Sequence, residues 1–159
     1  MYANFKSIMI FDKNEYFELL ELEKKYKNQG KSFFEEDFDN YGKLIEFQAN
    51  LSTHIYWRSR EKYVSIIKSF INDVISADDF TNEFLALWTK NRDALDTIEI
   101  NFDPNPKSIG FFDIVDEIFH NCEMFEPESN QNEEYNAIWL KNSLRKTLLK
   151  MQKYIDEVK

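Results

Sequence analysis

The sequence predicts an all-α fold, an antiparallel bundle of four to five helices in a single domain. Apolar residues recur at helical spacing along most of the chain, as they do on the buried face of a surface helix. Only three glycines and three prolines occur among 159 residues, which leaves few places for the tight turns of an all-β fold. The 15 Phe, 8 Tyr and 3 Trp supply a large aromatic core for one domain of this length.

The N-terminal third is predicted to hold two helices. Residues 15–27 place apolar side chains at helical spacing, with acidic residues first and lysines last, as the helix dipole favours. Gly30 follows the end of this helix, and residues 31–44 are interpreted as a polar and aromatic connection. A second helix is expected from about Lys43 to Thr53, either ending there or continuing into the next. We expect residues 1–55 to pack as an extension on a bundle core formed by residues 60–158.

The next two helices have clearer patterns. Arg60 to Ile75 predicts a core helix, and Ser76 with Asp79 matches the capping box that starts another helix running toward Leu95. The proline-containing residues 100–106 are predicted to form a loop. The predicted buried side of the first of these helices consists of Tyr63, Val64, Ile67, Phe70, Ile71 and Val74.

Ser108 is predicted to cap a helix with two opposed faces. Its apolar face consists of Phe111, Phe112, Val115, Ile118, Phe119 and Cys122, and its outer face of Asp113, Asp116, Glu117, His120 and Glu123. After the acidic connection that follows Pro127, a long C-terminal helix buries Leu140, Leu144, Leu148, Met151 and Ile155 and exposes Lys146, Lys150 and Lys153.

The net charge of −9 is concentrated in the middle of the chain. Residues 1–77 hold 11 basic and 12 acidic side chains, residues 78–134 hold 3 and 15, and residues 135–159 hold 6 and 2. Such a field repels nucleic acid and anionic membranes and attracts a basic protein surface at low salt. The alternative is that the carboxylates only keep the domain soluble.

The outer face of the helix after Ser108 is the candidate partner-binding surface. Carboxylates spaced by three and four residues repel one another unless a cation or a basic partner lies opposite. Met124, among these polar positions, is a candidate contact residue. The candidate binding residues are Asp113, Asp116, Glu117, Glu123, Glu126 and Glu128.

Catalytic and cofactor sites find little support in the sequence. Glu117 and His120 match one Glu-x-x-His pair, whereas a di-iron bundle needs two such pairs facing inward. Cys122 lies in an apolar stripe, where a thiol is unreactive, and no Gly-rich phosphate loop occurs. Residues 57–62 combine a tryptophan with three basic residues, a pattern that either binds nucleic acid or stacks Arg on an aromatic ring at a helix end. We expect no cofactor, no metal and no nucleic-acid partner.

One residue pattern resembles a known family over about residues 60–155. It consists of Phe84-x-x-Leu87-Trp88-x-x-x-Arg92-Asp93, then Ile118-Phe119-x-x-Cys122-Glu123-x-Phe125-x-Pro127, then Leu144-Arg145, and it is similar to the colicin D immunity-type family. The family has Asp where this chain has Glu123. The resemblance implies a non-enzymatic helical bundle that neutralises a basic, tRNA-cleaving toxin domain by placing carboxylates where RNA phosphates would lie.

Three functional hypotheses follow. The first is an immunity-like inhibitor that uses acidic residues 113–128. The second is a helical adaptor or assembly subunit that docks on a larger complex through exposed aromatic residues between positions 33 and 57. The third is a metal enzyme using Glu117 and His120. A single cysteine and the lack of a long apolar run favour the cytoplasm or an organelle stroma without membrane insertion. The oligomeric state is left open.

Overall fold

Seven α-helices contain most of residues 12–97, 106–127 and 135–158, the part of the chain that the computed structural model describes. This part contains no strand, which confirms the predicted all-α fold, although its helices number seven rather than four to five. Short 3₁₀ turns follow α5 and precede α6. The helices are α1 (Lys13–Asn28), α2 (Phe33–Glu36), α3 (Phe38–Arg58), α4 (Arg60–Ile71), α5 (Ala77–Asp93), α6 (Ile109–Met124) and α7 (Ala137–Val158).

Side-chain caps explain where several helices begin. Asp12 accepts a hydrogen bond from the backbone N–H of Asn14 at 2.9 Å, and Ser76 accepts one from Asp79 at 3.1 Å, which confirms the capping box predicted before α5. Ser32 and Asp37 cap α2 and α3 in the same way. The interpretation of residues 31–44 as a connection was therefore wrong, because these two caps start helices within it.

Two further predictions about helix ends need correction. α4 ends at Ile71, and a turn with Asp73 at φ 60° follows it, so that Val74 is 73% exposed instead of lying in the core. Ser108 is buried but makes no capping hydrogen bond to α6. At that end of α6 the N–H of Gly110 donates instead to the hydroxyl of Tyr154, at 3.1 Å.

Neighbouring helices of the bundle run antiparallel. Tyr63 on α4 is hydrogen-bonded to Asn91 near the end of α5, while Phe70 near the end of α4 stacks on Phe80 near the start of α5. α6 and α7 are antiparallel as well. Gly110 near the start of α6 is hydrogen-bonded to Tyr154 near the end of α7, and Glu117, further along α6, is hydrogen-bonded to Lys150, which precedes Tyr154. No helix in the described residues is long and apolar enough to cross a bilayer.

Buried side chains form two clusters, and α3 contributes to both. The N-terminal cluster consists of Tyr16, Leu19, Phe33, Leu44, Phe47 and Leu51. The bundle core takes Tyr56 and Trp57 from the last turn of α3 and combines them with α4 to α7. The remaining members of this core are Tyr63, Ile67, Phe70, Phe80, Phe84, Phe111, Ile114, Val115, Ile118, Cys122, Leu140, Leu144 and Met151.

Candidate protein-binding surface

α6 carries the two opposed faces that its sequence predicts. It packs against α3, α5 and α7 through its apolar residues, of which Phe112 and Phe119 are half-buried and the other predicted members fully buried. The acidic residues lie on the other side of the helix. Because α6 lies between α5 and α7, its exposed face has one side toward each of these two helices.

The side toward α5 holds Asp116, His120 and Glu123, which we call the α5 side. His120 lies between the two carboxylates, with Nε2 at 3.4 Å from Oδ2 of Asp116 and Nδ1 at 3.6 Å from Oε2 of Glu123. The side chains of these three residues are between 44% and 62% exposed. No lysine or arginine of the described residues forms an ion pair with either carboxylate. These acids therefore face solvent with only an imidazole between them.

The side toward α7 holds Asp113 and Glu117, which we call the α7 side. Nζ of Lys150 donates a hydrogen bond of 2.9 Å to Oε2 of Glu117. Asp113 lines a shallow groove of about 370 Å³ together with Lys150 and Lys153. The lysine face predicted for α7 thus lies beside part of the acidic face predicted for α6, and Lys150 neutralises Glu117 there.

An aromatic stack lies beneath the α5 side. The rings of Trp88 on α5 and Phe119 on α6 are parallel within 21°, with centroids 4.2 Å apart. Arg92 lies over the Trp88 ring at 5.3 Å and forms an ion pair with Asp93 at 2.8 Å, a hydrogen bond that holds the pKa of Asp93 below its usual range. The contact between Trp88 and Phe119 joins α5 to α6 beneath the acidic residues, and the sequence pattern did not predict it.

Charged groups of both α5 and α6 act on the buried phenol of Tyr56. Burial raises its pKa to about 12, Arg92 opposes that rise, and the carboxylates of Asp116 and Asp93 add to it. Because Asp93 is ion-paired with Arg92, the two together add little net charge beside the α5 side.

The remaining candidate residues lie at or after the end of α6. Glu126 is exposed, and its backbone N–H donates to the carbonyl of Tyr135 at 3.0 Å, which fixes the chain direction after the helix. Met124 is also exposed, as a contact residue would be. Glu128 lies outside the described residues.

The alternative sites are not assembled in the described part of the chain. No group of three potential metal ligands comes together there, and Glu117 and His120 turn to different partners. Burial raises the pKa of the Cys122 thiol to about 12, which keeps it protonated. Trp57 is buried, and the guanidinium of Arg60 lies 4.4 Å from its ring centre, as expected for stacking at a helix end.

One comparison with known proteins gives a match. The model of a family described as bacterial self-protective colicin-like immunity matches residues 59–153. This range covers more than half of the chain and includes every residue of the pattern that extends from Phe84 to Arg145, which confirms that resemblance at the level of the family. No curated protein and no solved structure matches the chain.

Proposed function

Because the chain belongs to the bacterial self-protective colicin-like immunity family, we propose that it neutralises a basic, tRNA-cleaving nuclease toxin by covering the toxin's active site with α6. Membership of the family implies a toxin protein as the partner. The nuclease target and the surface that binds it are the proposed part. We place the inhibition in the cytoplasm, where tRNA is available to the toxin.

The observation that supports this surface is the unequal neutralisation of α6. Asp116 and Glu123 are separated by two helical turns, about 10 Å along the axis, and neither forms an ion pair with a lysine or arginine of the described residues. An RNA-cleaving site binds phosphates through cationic groups, and exposed carboxylates are suitable substitutes for those phosphates. Charge complementarity of this kind also accelerates association.

The α7 side fits this role less well. Glu117 is hydrogen-bonded to Lys150, and Asp113 lines a groove together with Lys150 and Lys153. A basic partner would have to displace or repel these lysines before it could use the two carboxylates. We therefore assign the main contact to Asp116 and Glu123, with Glu126 next along the chain, and a supporting role to Asp113 and Glu117.

The test is a binding measurement with a nuclease toxin encoded beside this chain's gene. We expect the double variant Asp116→Lys/Glu123→Lys to weaken the complex at least about 100-fold by isothermal titration calorimetry, because two attractive contacts become repulsive. Glu18→Lys/Glu21→Lys on α1 changes the net charge equally at exposed positions and is the matched control. Equal affinity for both double variants would refute the assignment of the surface.

The choice of substrate is tested separately. A cleavage assay with tRNA, a non-tRNA transcript and DNA, run with and without one equivalent of the protein, should show cleavage of tRNA alone and its suppression by the protein. If the toxin cleaved DNA instead of tRNA and the protein suppressed that cleavage, the proposed substrate would be wrong, whereas the proposed role as an inhibitor would stand. A toxin that binds but remains active would overturn inhibition at the active site.

A further inference from the structure

The outward face of α3, outside the residues matched by the family, is apolar and exposed. Phe38, Gly42, Ile45 and Ala49 recur at helical spacing, and all four are exposed, Phe38 by 63% and Ile45 by 44%. We call these four residues the α3 stripe. Phe34 on α2 extends it, since its ring is 51% exposed and contacts that of Phe38 with centroids 5.3 Å apart. Contiguous apolar surface of this kind usually marks an interaction site.

Gly42 is the residue that the packing of this chain does not explain. It lies within a helix, where glycine is less stable than alanine because it loses more conformational entropy. A Cβ atom added at Gly42 would meet nothing within 4 Å, so no close approach within the chain requires a glycine. Because glycine has no side chain, nothing at position 42 fills the space between Phe38 and Ile45 along the stripe, and a group of a partner can occupy it.

The α3 stripe is complementary to itself. When two copies of a helix pack antiparallel about a two-fold axis, each contact occurs twice with the copies exchanged. With the axis between residues 43 and 44, Phe38 of one copy is level with Ala49 of the other, and Gly42 is level with Ile45. Both pairs place a large side chain opposite a small one, which is the arrangement that allows helices to interdigitate.

The distribution of charge also favours a second copy at this position. The stripe carries no charge, and its flank combines Asp39 and Glu46 with Lys43, which is paired with Glu15 at 3.8 Å. Residues 1–77 contain 11 basic and 12 acidic side chains, whereas residues 78–134 contain 3 and 15. Two copies therefore repel each other less when they meet through residues 1–77, which include α3, than through residues 78–134, and the acidic surface of α6 does not have to take part.

We propose that the protein forms a reversible homodimer through the α3 stripe, with two α3 helices packed antiparallel and Ile45 of each copy seated over Gly42 of the other. A contact of about four turns of one helix is small, so the dimer is weak, with a Kd of about 100 µM. The inference is independent of which toxin the protein binds.

The test is sedimentation equilibrium of the full chain at concentrations up to about 1 mM. We expect the wild type to show a monomer–dimer equilibrium, and Ile45→Asp to raise the Kd at least tenfold. Gly42→Leu separates dimerisation from folding, because it should raise Tm through better helix propensity and still weaken the dimer by filling the space at position 42. Leu149→Asp, at an exposed leucine on α7, is the matched control and should dimerise like the wild type.

A wild type that remains monomeric up to that concentration would overturn the proposal. So would a dimer that persists in both stripe variants, because its interface would lie elsewhere. If Ile45→Asp weakened binding of a toxin while the chain alone stayed monomeric, the stripe would belong to the partner and not to a second copy.

Discussion

The two sides of the exposed face of α6 contain the same acidic residue types but differ in their surroundings. On the α7 side, Lys150 bonds Glu117, and Lys153 lines a groove with Asp113. On the α5 side, Asp116 and Glu123 share only His120, above a stack of Trp88 on Phe119. The comparison shows that the neighbouring helices decide which carboxylates of an acidic helix face stay available to a partner. Here α7 supplies lysines to one side, and α5 supplies an aromatic ring to the other.

The two helices that flank α6 are also held in the bundle by different hydrogen bonds. A polar network anchors α5: Asn91 is buried, donates to the Tyr63 hydroxyl at 2.8 Å and accepts from the Ser59 hydroxyl at 3.1 Å. A tyrosine anchors α7, since the Tyr154 hydroxyl donates to the Lys107 carbonyl and accepts from the N–H of Gly110. The following experiments perturb one side at a time.

The largest effect is expected on the α5 side, from Asn91→Ala. This change leaves the buried Tyr63 hydroxyl and the Ser59 hydroxyl without their partner, so the free energy of unfolding should fall by about 3 kcal/mol in urea titrations. Asn82→Ala, at an exposed asparagine of the same helix, is the control and should change it by less than about 0.5 kcal/mol. Similar losses in both variants would show that the network does not anchor α5.

On the α7 side we expect a smaller loss from Gly110→Ala. The added Cβ would lie 2.7 Å from the ring and hydroxyl of Tyr154, so the ring must move and lose both hydrogen bonds, at a cost of about 2 kcal/mol. Gly42→Ala is the matched control, because its Cβ enters open space and should stabilise the monomer by about 0.5–1 kcal/mol. Opposite signs for the two glycines are the expected result, and equal signs would contradict it.

The electrostatic difference between the two sides can be removed with Lys150→Ala. Because its pair with Glu117 is exposed, stability should fall by less than about 1 kcal/mol. Association with the basic toxin should become about two- to fivefold faster at low salt, and this gain should vanish at high salt. Lys62→Ala removes another exposed lysine charge, from α4 instead of α7, and is the control. The same acceleration in both variants would mean that only net charge matters.

The last experiment probes the buried face of α6 and leaves its two exposed sides unchanged. The thiol of Cys122 has its pKa raised to about 12 by burial, so at pH 8 its thiolate is scarce and the sulfur inaccessible. We expect alkylation of the folded protein to be at least about 100-fold slower than that of the unfolded chain. Gly110→Ala should make alkylation of the folded protein faster, because it removes the hydrogen bond to Tyr154 that holds the start of α6. Equal rates for folded and unfolded protein would show that the core face of α6 is not closed.

The sequence predicts correctly the core residues of those helices whose apolar stripe continues without interruption. In α6 and α7 every predicted core position is buried or half-buried, because a regular apolar stripe has only one way to face a core. Val74 was misplaced because helical periodicity continues past Ile71, where the chain turns at Asp73. α2 was missed because a single turn is too short to show periodicity, although Ser32 followed by Glu35 was a readable cap signal.

The candidate surface was predictable only in part. A helical wheel places Asp113, Asp116, Glu117 and Glu123 outward, and the structure agrees, with Asp116 half-buried and the other three exposed. It cannot show that Lys150 reaches Glu117, because that contact joins residues on different helices, 33 positions apart. The assignment of these carboxylates to a toxin stays a prediction.

Because α3 contributes to both buried clusters, it affects where the chain can be truncated. The family match begins at residue 59 and ends at residue 153, yet the bundle core includes Tyr56 and Trp57 before it, and Tyr154 after it holds the start of α6. A fragment trimmed to the match would lose two core aromatics and the hydroxyl that binds Gly110. The segment matched by the family and the packed core therefore have different ends, and truncations should be designed on the core.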